Sequence, residues 1–290
     1  MFLSQPCETP TTPRRVQVML ATFGRSGTAS LALALNKIGF AAMHGANLLD
    51  NPDAVRAFVY ANASSLLDVT EAGGYDVTME VHAGLFEELY ALRPDVKVIA
   101  TERDFDSHYD SFAAFCELYT DPTTIGSPVR FPLTQLPFTA PLNEVMRLLF
   151  NRMGHETADC FLGYTCRPRT PEHRALFKRG VDMRNEFIRA HVPKEQLLRL
   201  RLGTDGYPEL CRFLGVPADR CPSDPFPHVN TRAELLALHR VFVVIELVSR
   251  SLVLAVVILA VVGLRTVWRS VRAGRKAPTA IVNDNKQKAA

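Results

Sequence analysis

The stretch Val16-Gln-Val-Met-Leu-Ala-Thr-Phe-Gly-Arg-Ser-Gly-Thr-Ala-Ser30 decides the fold. Val16 to Phe23 is a compact apolar run rich in β-formers, and it ends at a glycine. Such a run reads as a buried strand. Gly24 to Thr28 is a tight turn flanked by glycine. From Ala29 to Ile38, Leu31, Leu35 and Ile38 fall on one helical face, and Gly39 ends the helix. A strand, a glycine turn and a helix in that order gather free main-chain N–H groups at the positive end of a helix dipole. Gly24 and Gly27 let the backbone approach an anion closely. Ser26, Thr28 and Ser30 offer hydroxyl donors, and Arg25 adds a fixed charge with several donors. The expectation is a phosphate cradle.

The turn departs from two familiar patterns. It is not Gly-x-x-x-x-Gly-Lys-Ser/Thr, and no convincing partner acid for magnesium stands elsewhere, which argues against ATP hydrolysis. Nor is it Gly-x-Gly-x-x-Gly, which argues against a dinucleotide cofactor.

Outward from this stretch, strands and helices alternate. Asn51 to Leu67 reads as a helix, Gly73-Gly74 as a turn and Asp76 to Glu80 as a short strand. Ala83 to Leu92 is a helix stopped by Pro94, Val96 to Thr101 a second buried strand, and Asp104 to Cys116 a helix. A long helix covers Pro171 to His191, a strand Leu197 to Leu202, and a helix Tyr207 to Leu214 closed by Gly215. This alternation predicts an α/β fold with a central parallel sheet and helices on both faces. The domain is expected over residues 15–230, after a flexible tail at 1–14. Residues 119–170 lose periodicity and read as an irregular lid or acceptor region.

Composition narrows the class. The chain has 290 residues, 47% hydrophobic and 22% charged, with a net charge of +3. That suits one large domain with an appendage and gives no electrostatic case for nucleic acid. The six cysteines form no Cys-x-x-Cys pair and no metal-ligand spacing, and they read as reduced and mostly packing residues, with a disulfide among Cys160, Cys166 and Cys221 as the alternative. Met1 to Pro13 is Thr/Pro-rich and lacks the pattern of a secretory leader, so the catalytic part is expected in the cytoplasm.

The end of the chain differs. Val241 to Leu264 is apolar apart from Glu246 and Arg250, and arginines follow Trp268. Glu246 and Arg250 are four apart and could pair on a helix. The expectation is a hydrophobic, membrane-anchoring helix over 241–268 that meets lipid, followed by a basic, polar tail at 269–290.

A second motif lies where the Val96 strand ends, in Glu102-Arg-Asp-Phe-Asp-Ser-His-Tyr-Asp-Ser111. Arg103 falls just beyond the strand's C-terminal end, where α/β proteins bind ligands. Ser107 and Ser111 share one face of the next helix. An arginine with a helix-borne serine makes a phosphate clamp.

Together the two motifs resemble the sulfotransferase family. Its members carry a strand–loop–helix of the type Gly-Arg/Lys-Ser/Thr-Gly-Thr for a 5′-phosphosulfate. They also carry Arg-Asp-Pro with a serine eight residues after the arginine for a 3′-phosphate, and Arg103 to Ser111 has that spacing. The resemblance extends through Arg184-Asn185, Leu210-Cys-Arg-Phe-Leu-Gly-Val-Pro217 and Pro225-Phe-Pro-His-Val-Asn230. Phe105 replaces the usual proline, Ala29 stands where a second hydroxyl often sits, and Arg25 replaces a common lysine.

The resemblance implies a three-layer fold like that of P-loop nucleoside triphosphatases. It implies 3′-phosphoadenosine 5′-phosphosulfate as donor, a hydroxyl or amine acceptor, and no required metal. Residues 24–30, including Ala29, with Arg103, Ser107 and Ser111, would hold the donor, and Arg25 would stabilise the leaving phosphate. A base is still needed. Glu80, at the end of a predicted strand, stands first, with His82 and His44 as rivals. Arg184 and Asn185 are candidates for contact with donor or acceptor. Two other readings stay open: a P-loop small-molecule kinase, and a membrane-tethered nucleotide-binding module without catalysis.

Overall fold

The computed structural model describes residues 12–44, 47, 51–120, 168–229, 248, 251–252, 254–270 and 272. For 59, 80, 81 and 118–120 it describes the backbone only. Most of the expected lid at 119–170, the tail before residue 12 and all but residue 272 of the stretch from 271 onward lie outside the described residues. The chain divides into two units, Met1–Arg240 and Val241–Ala290.

The described part of the first unit is built on five parallel strands: β1 Val18–Leu20, β2 Ala42–Met43, β3 Val77–Thr78, β4 Lys97–Glu102 and β5 Leu197–Arg201, in the spatial order β2-β3-β1-β4-β5. Among the described residues, seven helices connect or flank them: α1 Thr28–Lys37, α2 Pro52–Val59, α3 Ala63–Ala72, α4 Phe86–Leu92, α5 Phe105–Thr120, α6 Pro171–His191 and α7 Tyr207–Leu214. Strand alternation explains the layering. Val18, Leu20 and Ile99 point to one face, where they pack with Leu31 and Leu35 of α1 and Leu210 of α7. Met19, Val98 and Ala100 point to the other, with Phe58, Leu66, Phe86, Phe112 and Phe177 from α2 to α6. Both faces are buried, which is why β1 and β4 read as continuous apolar runs. The α/β class and the parallel sheet therefore stand as expected.

Several local readings change. The single helix expected over Asn51 to Leu67 is two helices, α2 and α3. Ala61 adopts φ 55° and Asn62 caps α3 by accepting from the Ser65 amide, 2.9 Å. The strand expected to reach Glu80 stops at Thr78, and Glu80–Leu85 is a 3-10 helix leading into α4. β2 has only two residues, too few to leave a sequence pattern.

The reading of all thiols as reduced is corrected at one pair. Cys211 in α7 and Cys221 are disulfide-bonded, with Cα atoms 6.0 Å apart. Cys116 is buried, and burial raises its thiol pKa well above the ordinary value.

In the second unit, residues 254–270 are helical with exposed side chains. Arg272 sits over the Trp268 ring, 3.6 Å from its centroid. Among the described residues no helix is long and apolar enough to cross a membrane. Part of the stretch expected to do so, 241–247 with 249, 250 and 253, lies outside the described residues.

Candidate functional site

The order β2-β3-β1-β4-β5 places β1 centrally beside β4, and the connection after β1 runs to β2 on one side while that after β4 runs to β5 on the other. The C-terminal ends of β1, β3 and β4 therefore share one rim, and loops leave that rim at a topological switch point.

The glycine turn leaves this rim from β1. Gly27 has φ 86° and precedes α1, whose first turn carries no side-chain cap. Its amides are thus turned outward at the helix N-terminus, free of a competing cap. A Cβ on Gly27 would lie 2.0 Å from Leu202 Cδ1, so the turn closes tightly on the loop after β5. Gly24 meets nothing within 4 Å at the same test, which leaves open space on that side of the loop. Arg25 itself sits in the left-handed region, at φ 68°.

The hydroxyls predicted to face an anion divide in role. Ser26 Oγ is buried and donates to the Phe23 carbonyl, 2.6 Å, so its proton tightens the turn. Ser30 Oγ is buried and accepts from the Val229 amide, 3.1 Å, which ties the segment near the domain's end to α1. Thr28 Oγ1 lies 3.5 Å from His44 Nε2, just beyond β2. Ala29 follows in the first turn of α1, partly buried.

The second motif meets the first. Asp104 caps α5 by accepting from the Ser107 amide, 2.9 Å. Arg103, held just before it, donates from Nε to Ser107 Oγ, 3.1 Å, and from Nη1 to the Arg25 carbonyl, 3.0 Å. Burial lowers its pKa somewhat, against the pull of Asp104. Ser111 lies one turn further along α5, partly buried. His108 was not expected at the site. Its Nε2 lies 3.1 Å from the Gly24 carbonyl, and its ring meets Phe177 edge-on at 4.9 Å. Its position between Ser107 and Ser111, four residues after the cap, was the available signal.

The base candidates separate. Glu80 begins the 3-10 turn after β3, so its backbone lies on the same rim, while its side chain is outside the described residues. His44 reaches Thr28 of the turn. His82 is 1% exposed, with Nε2 3.1 Å from Thr70 Oγ1 and Nδ1 3.2 Å from the Met79 carbonyl. Desolvation pushes its pKa down to about 4, opposed by the Met79 bond. Both ring nitrogens are committed inside the protein. That is the placement of a packing residue joining α3 to the end of β3, not of a base facing a substrate.

A cavity of about 420 Å³ opens beside the turn, between the ends of β1, β4 and β5 and the helix α6. Thr22, Phe23, Arg103 and His108 border it on the loop side, Arg184 and Asn185 on the helix side. The size suits a small-molecule ligand.

A doubly covered parallel sheet carries the glycine turn and Arg103 together on one rim, at its strand ends. A family model described as a sulfotransferase domain matches residues 17–235, and the chain belongs to that family. It is a transferase of the sulfuryl-transfer class. No curated protein matches the chain.

Proposed function

We propose that the protein transfers the sulfuryl group of 3′-phosphoadenosine 5′-phosphosulfate to a hydroxyl or amine. The observation that carries this reading is the bond between Arg103 Nη1 and the Arg25 carbonyl, 3.0 Å. It supports a reading in which one nucleotide reaches both motifs, since Arg103 touches the glycine turn directly. The amides of residues 26–29 and the Arg25 guanidinium would receive the phosphosulfate. Charge builds on the leaving phosphate as the S–O bond breaks, and fixed donors there stabilise the transition state. Arg103, Ser107 and Ser111 would hold the 3′-phosphate.

The acceptor must lose a proton as its oxygen or nitrogen bonds to sulfur. Glu80 and His44, at the ends of β3 and β2, are the residues that fit this role. Single-turnover rates of Glu80→Gln and His44→Asn separate them, since the true base alone loses rate without losing donor affinity.

The test of the whole reading is thermal stabilisation by nucleotides. Adenosine 3′,5′-bisphosphate is expected to raise Tm at micromolar concentration, and AMP and ATP far less. Equal responses to all three would remove the assignment. The ATP arm also decides against a kinase, whose lysine-bearing loop this chain lacks.

A further inference from the structure

We infer that the cavity beneath α6 is an oxyanion site anchored by the buried guanidinium of Arg184. Arg184 is 4% exposed, and among the described residues its Nε and Nη1 have no hydrogen-bond partner. The nearest carboxylate atom, Glu87 Oε1, is 3.9 Å from Nε, too far for a hydrogen bond. The guanidinium lies over Phe23 and Phe86, 5.6 and 5.0 Å from their ring centroids. Ring faces attract the charge but leave the N–H donors unsatisfied. A buried, unsatisfied cation is costly unless something supplies acceptors. Burial depresses its pKa to about 10, opposed by Glu87 and Glu88, so it stays charged at neutral pH.

Arg199 and Arg201 share Glu102, at 3.3 and 3.6 Å. Asp104 is occupied as the cap of α5. Arg184, whose carboxylate neighbour Glu87 stays 3.9 Å away, and Arg103, bonded to Ser107 Oγ and the Arg25 carbonyl, both line the cavity. Asn185, beside Arg184 on the same wall, adds an uncharged donor and acceptor. Two guanidinium groups with an amide beside Phe23 select a group with several anionic oxygens: phosphate, sulfate or carboxylate. Phe23 ends just before the glycine turn, so the group lies next to the transfer site. Under the proposed function it belongs either to the donor, as its 3′-phosphate, or to an acidic acceptor.

The test uses Arg184→Met, which keeps bulk and removes charge and donors. Without ligand, its Tm is expected to equal or exceed that of the native chain, because an uncompensated buried charge is gone. Binding is measured with three probes: inorganic sulfate at constant ionic strength, AMP, and adenosine 3′,5′-bisphosphate. A tenfold or greater loss for the bisphosphate with AMP unchanged assigns the site to the donor. A tenfold loss only for sulfate titrated into bisphosphate-saturated protein assigns it to the acceptor. Unchanged affinity for every probe overturns the inference, and does so all the more plainly if Tm falls, since Arg184 is then a packing residue. Arg184→Gln gives the same reading should the methionine variant not fold. If the native chain fails to bind the bisphosphate yet loses sulfate binding on substitution, the proposed function fails and the oxyanion site stands.

Discussion

His108 Nε2 lies 3.1 Å from the main-chain oxygen of Gly24, so the helix after β4 holds the glycine turn by a single N–H donor. Desolvation pushes the His108 pKa down to about 4; the Gly24 bond opposes this, and Arg103 and Arg25 add to the depression. The ring is therefore neutral at pH 7, donating from Nε2. Unfolded, it would titrate near its ordinary 6.5. Between these values the unfolded chain binds more protons, so stability falls as pH drops from about 6.5 to 4. His82 adds the same trend. Each histidine is worth roughly 3 kcal/mol over that window. Urea unfolding from pH 7 to 4.5 should show the decline, and His108→Gln should remove about half of its slope. A flat profile would show that these rings are not buried as described.

The two glycines of the turn should behave oppositely. Gly27 has positive φ and no room for a Cβ, whereas Gly24 has open space beside it. Gly27→Ala is expected to cost about 1–2 kcal/mol of stability from backbone strain alone, with more from displacing Leu202. Gly24→Ala should leave Tm within a degree and still weaken the bisphosphate, because the added methyl enters ligand space. Chemical denaturation paired with calorimetric binding separates the two effects. A Gly24→Ala variant that binds normally would show that the loop does not wrap its ligand on that side.

The Cys211–Cys221 disulfide closes a loop of ten-residue separation around the end of α7. Chain-entropy arguments give such a closure about 2.7 kcal/mol. Beyond it, Tyr207 packs on Phe226, with ring centroids 5.3 Å apart, and Val229 reaches Ser30. Dithiothreitol is expected to lower Tm by roughly 5–10 °C for a domain of this size. Cys221→Ser should reproduce that fall and abolish further response to reductant. A native chain indifferent to reductant would mean the bond does not form in solution.

How much of this was legible follows from where the signal is local. The turn between Phe23 and Thr28 was readable because a strand, two glycines and a helix each leave their own pattern. Helices α6 and α7 were read to the residue, since Thr170 with Pro171 marks one start and Gly215, at φ 77°, marks one end. The break at Ala61 was missed because one left-handed residue interrupts no apolar period. The disulfide was missed because its partners are adjacent only once Pro217 to Arg220 fold back. His108 and the depth of Arg184 were invisible for a similar reason. Burial depends on which helix faces which strand end, and spacing along the chain does not record that.

The clamp itself gives the last test. Arg103 makes two bonds that fix its fork, one to Ser107 and one to the Arg25 carbonyl, so its outward N–H groups are pre-oriented at the rim. Removing it takes away a charge-assisted contact worth about 2 kcal/mol, or roughly thirtyfold in affinity. Arg103→Ala should lose that factor for adenosine 3′,5′-bisphosphate and little for AMP, which lacks the group it holds. Arg25→Ala should bind the bisphosphate with a smaller loss and fail in sulfuryl transfer, because its charge is needed most as the bond to sulfur breaks. Isothermal titration with both nucleotides, alongside single-turnover rates with labelled donor, gives all four values. Equal losses for the two nucleotides on Arg103→Ala would move the 3′-phosphate elsewhere, and Arg184 would become its leading ligand.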